Sequence, residues 1–209
     1  RDDVESRGLG DVYKRQVYHG GHLHYLHKKN LKHWVEKNFR VKTEIENDAK
    51  CAGLAEALLG NASDVSDSVI IVLGTGIGAA IIKDNHVVHG KHLMAGEFSW
   101  IIPSFDTNCN YDENIPNLLW HHVSATALTD QAKHIFAEKR PITCEELFSL
   151  ANKGDFRSQQ LINTFYRNLA ILILNIQHIF DPEIFCIGGG ISAAPNLLKN
   201  LQTVVNQVY

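Results

Sequence analysis

The chain has little that would suit it to a membrane, an oxidising compartment or a nucleic acid. Four cysteines among 209 residues, Cys51, Cys109, Cys144 and Cys186, lie far apart without a Cys-x-x-Cys pair. That excludes a close-set disulfide framework and fits small, buried, reduced thiols in a cytoplasmic protein. The longest apolar run, residues 169–176, is interrupted by Asn175 and followed by Gln177 and His178, which makes it too short and too polar to span a bilayer. The opening residues do not read as a secretory leader. A formal net charge of −3 offers no basic excess for nucleic acid or an anionic membrane surface. Internal repeats and low-complexity tracts are absent. So are the two helix-opening nucleotide motifs, Gly-x4-Gly-Lys-Ser/Thr and Gly-x-Gly-x-x-Gly.

What is present is an ordinary globular composition. With 44% hydrophobic and 21% charged residues, the chain can bury a substantial core in one or two domains. Residues 1–16 are set aside from the fold reasoning, because Arg7-Gly8-Leu9-Gly10-Asp11-Val12-Tyr13-Lys14-Arg15-Gln16 resembles translated sequencing-adapter read-through at the end of an assembled reading frame. Histidines then crowd one stretch, at His19, His22, His24, His27 and His33. No carboxylate or thiolate joins them at a standard metal-ligand spacing, so they read as solvated loop and helix-surface residues. Leu26, Asn30, Leu31, Trp34 and Val35 recur at helical intervals, and residues 41–45 alternate as a strand would.

Three segments between Ile45 and Trp100 carry the chemistry. The first is Glu46-Asn47-Asp48-Ala49. Asn47 and Asp48 open a helix whose apolar stripe is read as Ala52, Ala55, Leu58 and Leu59, with Gly60 as its stop. Asp48 can be a helix cap or a residue at the mouth of a ligand cleft beyond a strand end; the residues alone leave both open. The second segment is a β-branched run, Val69 to Leu73, followed by Gly74-Thr75-Gly76-Ile77-Gly78 and a returning strand from Ala79 to Ile82. Asp84-Asn85-His86 then turns the chain into a third strand at Val87-Val88. Alternate glycines let backbone N–H groups approach a phosphate, and Thr75 adds a hydroxyl, although a tight hairpin without a ligand has the same sequence. The third segment, Ala95-Gly96-Glu97, gains meaning beside Asn47 and Asp48, since several acceptors and amides around one ring would grip a hydroxyl-rich ligand.

Further on, residues 101–119 read as irregular, and residues 119–136 as helical. Thr143 with Glu146 forms a capping box opening a helix to about Ala151. A long helix follows from about Asp155 to Phe180, burying Leu161, Phe165, Leu169, Leu172, Ile176 and Ile179, and Asp181-Pro182 ends it. A buried strand, Glu183 to Ile187, leads into Gly188-Gly189-Gly190 and a helix from Pro195 to Val208. Three glycines between strand and helix are either a flexible turn or an approach for a flat group such as a nucleobase with its ribose.

The order Glu46-Asn47-Asp48-Ala49, Leu73-Gly74-Thr75-Gly76-Ile77-Gly78, Ala95-Gly96-Glu97, then Asp181-Pro182 through Ile187-Gly188-Gly189-Gly190-Ile191-Ser192 resembles the ROK family of sugar kinases and sugar-responsive repressors. The resemblance runs from about Val17 to Tyr209. It implies an α/β, actin-like (ribonuclease-H-like) ATPase fold with two domains around a cleft: residues 17–66 as the end of the small domain, and residues 67–209 as a large ATP- and sugar-binding domain truncated at its C-terminus. It further implies Asp48 as the catalytic base, Asn47 and Glu97 with Asp48 as the sugar-binding set, and Gly74, Thr75, Gly76 and Gly78 as a phosphate loop. Gly188, Gly189 and Gly190 become the adenosine loop. ATP and Mg2+ are the implied cofactors, a sugar the substrate, a homodimer the assembly and the cytoplasm the location.

Two departures from the family pattern shape the expectation. Trp100 stands where many relatives have a histidine, and only Cys109 follows where they carry a cysteine-rich zinc motif. No structural zinc is therefore expected, as in the zinc-less branch that includes β-glucoside kinase-like members. The family's first phosphate loop, Asp-x-Gly-Gly-Thr, and its closing helices are also missing, so the chain reads as an internal fragment expected to have little or no kinase activity alone. The alternative within the family is a sugar-sensing repressor whose DNA-binding domain lies outside this fragment. The intact Asp48 favours the kinase.

Overall fold

A computed structural model of the chain describes residues 9–11, 16–19, 24–26, 28–104, 117–136 and 142–209. Two short strands, β1 (Leu9–Asp11) and β2 (Gln16–His19), pair antiparallel ahead of α1 (Leu31–Phe39). The Asn30 side chain accepts the His33 N–H and caps α1. Of the five crowded histidines, only the His33 side chain belongs to the described residues, and it is exposed.

The centre is a sheet of β3 (Ser68–Leu73), β4 (Ile77–Lys83), β5 (His86–Val87) and β6 (Ile184–Gly188), in the order β5-β4-β3-β6. β3 pairs antiparallel with β4 and parallel with β6. Side chains alternate across a strand, and here both faces are covered. Val69, Ile71, Leu73, Ile77 and Ala79 enter the larger core cluster, whereas Ile70, Ala80, Ile82 and Cys186 join Ala57 and Ala62 on the opposite face. That two-sided burial is why β3 reads as an unbroken apolar run. The tight turn into β5 places Asp84 and Asn85 at φ 51° and 62°, a conformation that Asp and Asn tolerate better than most residues.

The larger core is closed by α3 (Ala125–Phe136), α4 (Cys144–Asn152), α5 (Phe156–Phe180) and α6 (Leu197–Val208). The capping box at α4 is formed by Thr143 and Glu146, and Asp155 caps α5 through Ser158. Leu161, Phe165, Leu169, Leu172 and Ile176 of α5 are buried as the periodicity predicts. Ile179 is not: it is 85% exposed, because Phe180, four residues after Ile176, takes the core-facing position.

Other departures have equally local causes. Residues 119–136 are not one helix but a 3-10 turn, Leu119–His121, and α3. Ser124 separates them by accepting the Ala127 N–H. After the glycine bend a 3-10 turn, Gly190–Ala193, precedes α6, which starts at Leu197 and not at Pro195. Residues 41–45 form no strand. The Thr43 N–H donates to Glu36 and the Thr43 hydroxyl to the Val41 carbonyl, so the segment is held to α1 instead of to a ladder.

The largest correction concerns α2 (Asp48–Leu59), whose buried face is Ala49, Lys50, Gly53 and Ala57. Ala55 is exposed, as are Leu58 (66%) and Leu59 (91%), and so is the Cys51 thiol expected inside. The reason is steric. A Cβ on Gly53 would stand 2.2 Å from the Ala80 Cβ, and one on Gly78 would stand 2.7 Å from the Ala49 Cβ. The helix therefore lies on β4 through its smallest residues, and a leucine stripe would hold it away.

This contact is tested by Gly53→Ala. The gain in helix propensity, about 1 kcal/mol, is outweighed by an overlap of two Cβ atoms that no rotamer change relieves. A net loss of about 2 kcal/mol is expected from urea unfolding. Leu59→Ser on the exposed face should stay within about 0.5 kcal/mol of the parent.

Candidate active site

β3 and β6 run parallel, with Val72 opposite Gly188, so their carboxyl ends share one edge of the sheet. In open α/β sheets this is the edge that binds ligands. Leu73 runs into the Gly74-Thr75-Gly76 loop, which returns as β4, and Gly188 runs into the glycine bend. The two loops touch: a Cβ on Gly189, whose φ is +85°, would lie 2.4 Å from the Leu73 carbonyl oxygen. The start of α2 reaches the same edge, with Ala49 on Gly78. The Glu97 turn is tied there by Ser99, whose hydroxyl donates to the Ile77 carbonyl at 2.7 Å. All four sequence segments singled out above therefore meet at one place.

The glycine loop is braced from within. The Gly74 N–H donates to the Gly76 carbonyl at 3.0 Å, while the Gly74 carbonyl accepts the Ala125 N–H at the head of α3 at 2.8 Å. The amides of Thr75 and Gly76 have no protein partner among the described residues, and Thr75 is exposed. Two neighbouring free N–H groups with a hydroxyl between them suit an anion. Gly78 and Gly189 lack a Cβ for a different reason, since the fold itself occupies that space. At Gly74, Gly188 and Gly190 a Cβ would meet nothing within 4 Å among the described residues, which leaves room for a ligand.

At the head of α2 the cap is Asn47, whose Oδ1 accepts the N–H groups of Ala49 (2.9 Å) and Lys50 (3.1 Å). Asp48 is the first helical residue. Its Oδ1 also accepts from the Ala49 N–H, and its other oxygen has no partner among the described residues. A carboxylate suits the positive end of the helix dipole. Glu46 anchors the segment from behind: Oε1 accepts the Asn47 N–H at 2.8 Å, and Oε2 lies 2.6 Å from His89 Nε2, which acts as the donor. Partial desolvation, with smaller contributions from the charges of Glu46 and Asp48, raises the Cys51 thiol above its ordinary value, which leaves it a weak nucleophile.

Glu97 faces this group. Its Oε1 is 3.7 Å from Lys50 Nζ, and the two side chains are 19% and 3% exposed. Burial raises Glu97 above the ordinary glutamate value and the Asp48 charge raises it further, while Lys50 pulls the other way. Lys50 and His89 are the site-edge residues that the sequence reading passed over. Lys50 left one signal, a cation in the first turn of a helix, where the dipole opposes it.

The arrangement, two glycine bends and a helix-borne aspartate at the carboxyl edge of a mixed sheet, is that of the actin-like ATPase fold. The Lmo2764 protein of Listeria monocytogenes, a solved structure, superposes with a TM-score of 0.86 at 30% identity over 97% of this chain and 69% of that one. A ROK family transcriptional regulator superposes with a TM-score of 0.81 at 26% identity, over 96% of this chain and 52% of the regulator. The ROK family model matches residues 6–209. The chain belongs to the ROK family. The match begins inside the segment set aside at the outset, as β1 does. A β-glucoside kinase of Listeria innocua is 33% identical over 186 residues, 88% of this chain and 62% of the relative. The chain thus spans less than two thirds of that relative's length.

Because the folded value of Glu97 is raised, its ionisation in the fold works against stability. The penalty is absent below the ordinary glutamate value and grows as pH rises from there to the raised one. Glu97→Gln has no such titration. Urea unfolding from about pH 4 upward should therefore show the stability of the variant gaining on the parent through this window. The opposite trend would mean that Lys50 outweighs burial.

Proposed function

We propose that the complete protein is an ATP-dependent sugar kinase that transfers the γ-phosphate to a hydroxyl of a hexose, hexosamine or β-glucoside. One observation supports this above the rest: a carboxylate with one oxygen and two loop amides that have no partner among the described residues share one sheet edge with a second carboxylate. Asp48 is assigned as the base, and Asn47 and Glu97 join it in binding the sugar. Thr75 and Gly76, with Gly74 and Gly78 shaping their loop, receive the phosphates, and Gly188, Gly189 and Gly190 leave space for the adenosine. The similarity to a β-glucoside kinase agrees with the sugar class.

The chemistry asks little of Asp48 as a base. Phosphoryl transfer passes through a loose transition state, so alignment and charge neutralisation carry most of the catalysis. Asp48 orients the attacking hydroxyl with its free oxygen and accepts the proton late, as the oxygen bonds to phosphorus and the bond to the leaving diphosphate breaks. Mg2+ would supply neutralisation of the phosphate charge. Water and the phosphates would carry most of its coordination. No described helix is long and apolar enough to cross a membrane, and a cytoplasmic homodimer is the assembly proposed.

The second reading, a sugar-sensing repressor, draws on the likeness to the ROK transcriptional regulator. A sensor has no chemical use for a catalytic aspartate at residue 48, so the kinase is preferred.

Asp48→Asn in the complete gene product separates base from binder. Phosphorylation of glucose, N-acetylglucosamine or cellobiose should fall at least about 100-fold in kcat, the lower range for general-base loss, with sugar affinity changed only a few-fold. Turnover retained within tenfold would remove Asp48 from that role.

A further inference from the structure

Lys50 is placed where an ammonium group is least expected. It is 2% exposed as a residue, and it stands in the first turn of α2, where the helix dipole disfavours a cation. It belongs to the face that packs on β4, between Ala49 and Gly53. Nothing in that packing calls for charge: Ala49 and Gly53 meet Gly78, Ala80 and Ile82. The one acid the ammonium reaches among the described residues is Glu97, 3.7 Å away.

We propose that Lys50 is a positioning residue of the sugar pocket, which holds the Glu97 side chain as a carboxylate turned toward Asp48. This rests on the kinase reading for the identity of the ligand. An ionised carboxylate only accepts hydrogen bonds, and has room for donors from two neighbouring hydroxyls. A protonated one becomes a donor, and competes with the arrangement in which sugar hydroxyls donate. Two carboxylates, Asp48 and Glu97, near one partly buried spot would push one of them toward protonation. An ammonium on the protein side of Glu97 relieves this and leaves the pocket side clear. The lysine thus acts through Glu97 and needs no contact with the sugar.

The surroundings leave few other groups to do this. On α2 the charges near Glu97 are Asp48 and Lys50. β4 offers only Lys83, at its far end and paired with Asp67. The Leu119–His121 turn, packed against the Glu97 turn, brings His121 with His122 beside it, and burial together with His122 lowers His121 below its ordinary value, toward the neutral form.

The test replaces Lys50 by Met, and in parallel by Gln in case the fully apolar variant does not fold, in the complete gene product. The Glu97 carboxyl carbon is followed by NMR without sugar, and the KM for glucose, N-acetylglucosamine or cellobiose is measured across pH. The Glu97 midpoint should rise by about one pH unit or more in both variants. The acid limb of the sugar KM should move up with it, so that KM is raised most on the acid side and recovers as pH passes the shifted midpoint, with kcat at saturation little changed. An unmoved midpoint overturns the proposal. So does a KM raised equally at every pH, which marks a packing defect. Absence of sugar phosphorylation by the parent at any pH defeats the kinase reading separately, because the carboxyl titration requires no sugar.

Discussion

The site depends on how closely one helix can lie on one strand. Ala49 sits on Gly78 and Gly53 on Ala80, and these four small residues bring the backbone of α2 down onto β4. Helix position on a sheet is set by the side chains between them, and larger ones keep the two apart. Here the approach decides where residue 48 stands. Asp48 is the residue just before this contact begins, at the edge of the sheet where the loop that joins β3 to β4 also lies. That loop is itself held from the other face, through the bond from Ala125 to the Gly74 carbonyl. The aspartate and the loop amides are thus fixed by separate contacts with the same strand pair.

Charge in the site follows from this geometry. At 3.7 Å an ion pair in a protein-like effective dielectric of about 20 gains about 4 kcal/mol of Coulomb energy. Removing each ion from water costs several kcal/mol. The two effects are similar in size, so Lys50 and Glu97 are not explained as a stabilising bridge. An apolar pair of equal volume would hold α2 on β4 as well or better. What the pair supplies is a carboxylate in a fixed place, next to a second carboxylate with one oxygen unpartnered among the described residues.

How much of this was legible in the sequence varied with the range of the interaction. Strands covered on both faces, the Thr143 capping box and the stop at Asp181 are written in adjacent residues, and these were legible. The edge shared by Asp48, Thr75, Glu97 and Gly188 was legible only as the order of motifs, since their meeting depends on the parallel pairing of β3 with β6. The buried face of α2 was misread because hydrophobicity was weighed above volume. Leu58 and Leu59 looked like core, yet the contact surface admits nothing larger than alanine where Ala49 meets Gly78 and Gly53 meets Ala80. Gly53 carried the needed signal: a glycine inside a helix costs about 1 kcal/mol relative to alanine, which a chain bears where a neighbour comes too near for a Cβ. Residues 41–45 alternated like a strand, but alternation specifies a face and supplies no partner for the ladder.

The glycines carry the last step. A run such as Gly74-Thr75-Gly76-Ile77-Gly78 invites one explanation for all its members, and the structure divides them. Gly78 and Gly189 are small because Ala49 and the Leu73 carbonyl fill the space beside them. Gly74, Gly188 and Gly190 have open space instead, and no contact with the described residues forbids a side chain there. On the kinase reading, these open positions are where a ligand would come close to the backbone. These open glycines, with the unpaired amides of Thr75 and Gly76, lie on the same edge as Asp48. The glycines that hold the fold together are thus interleaved in sequence with those that leave it open.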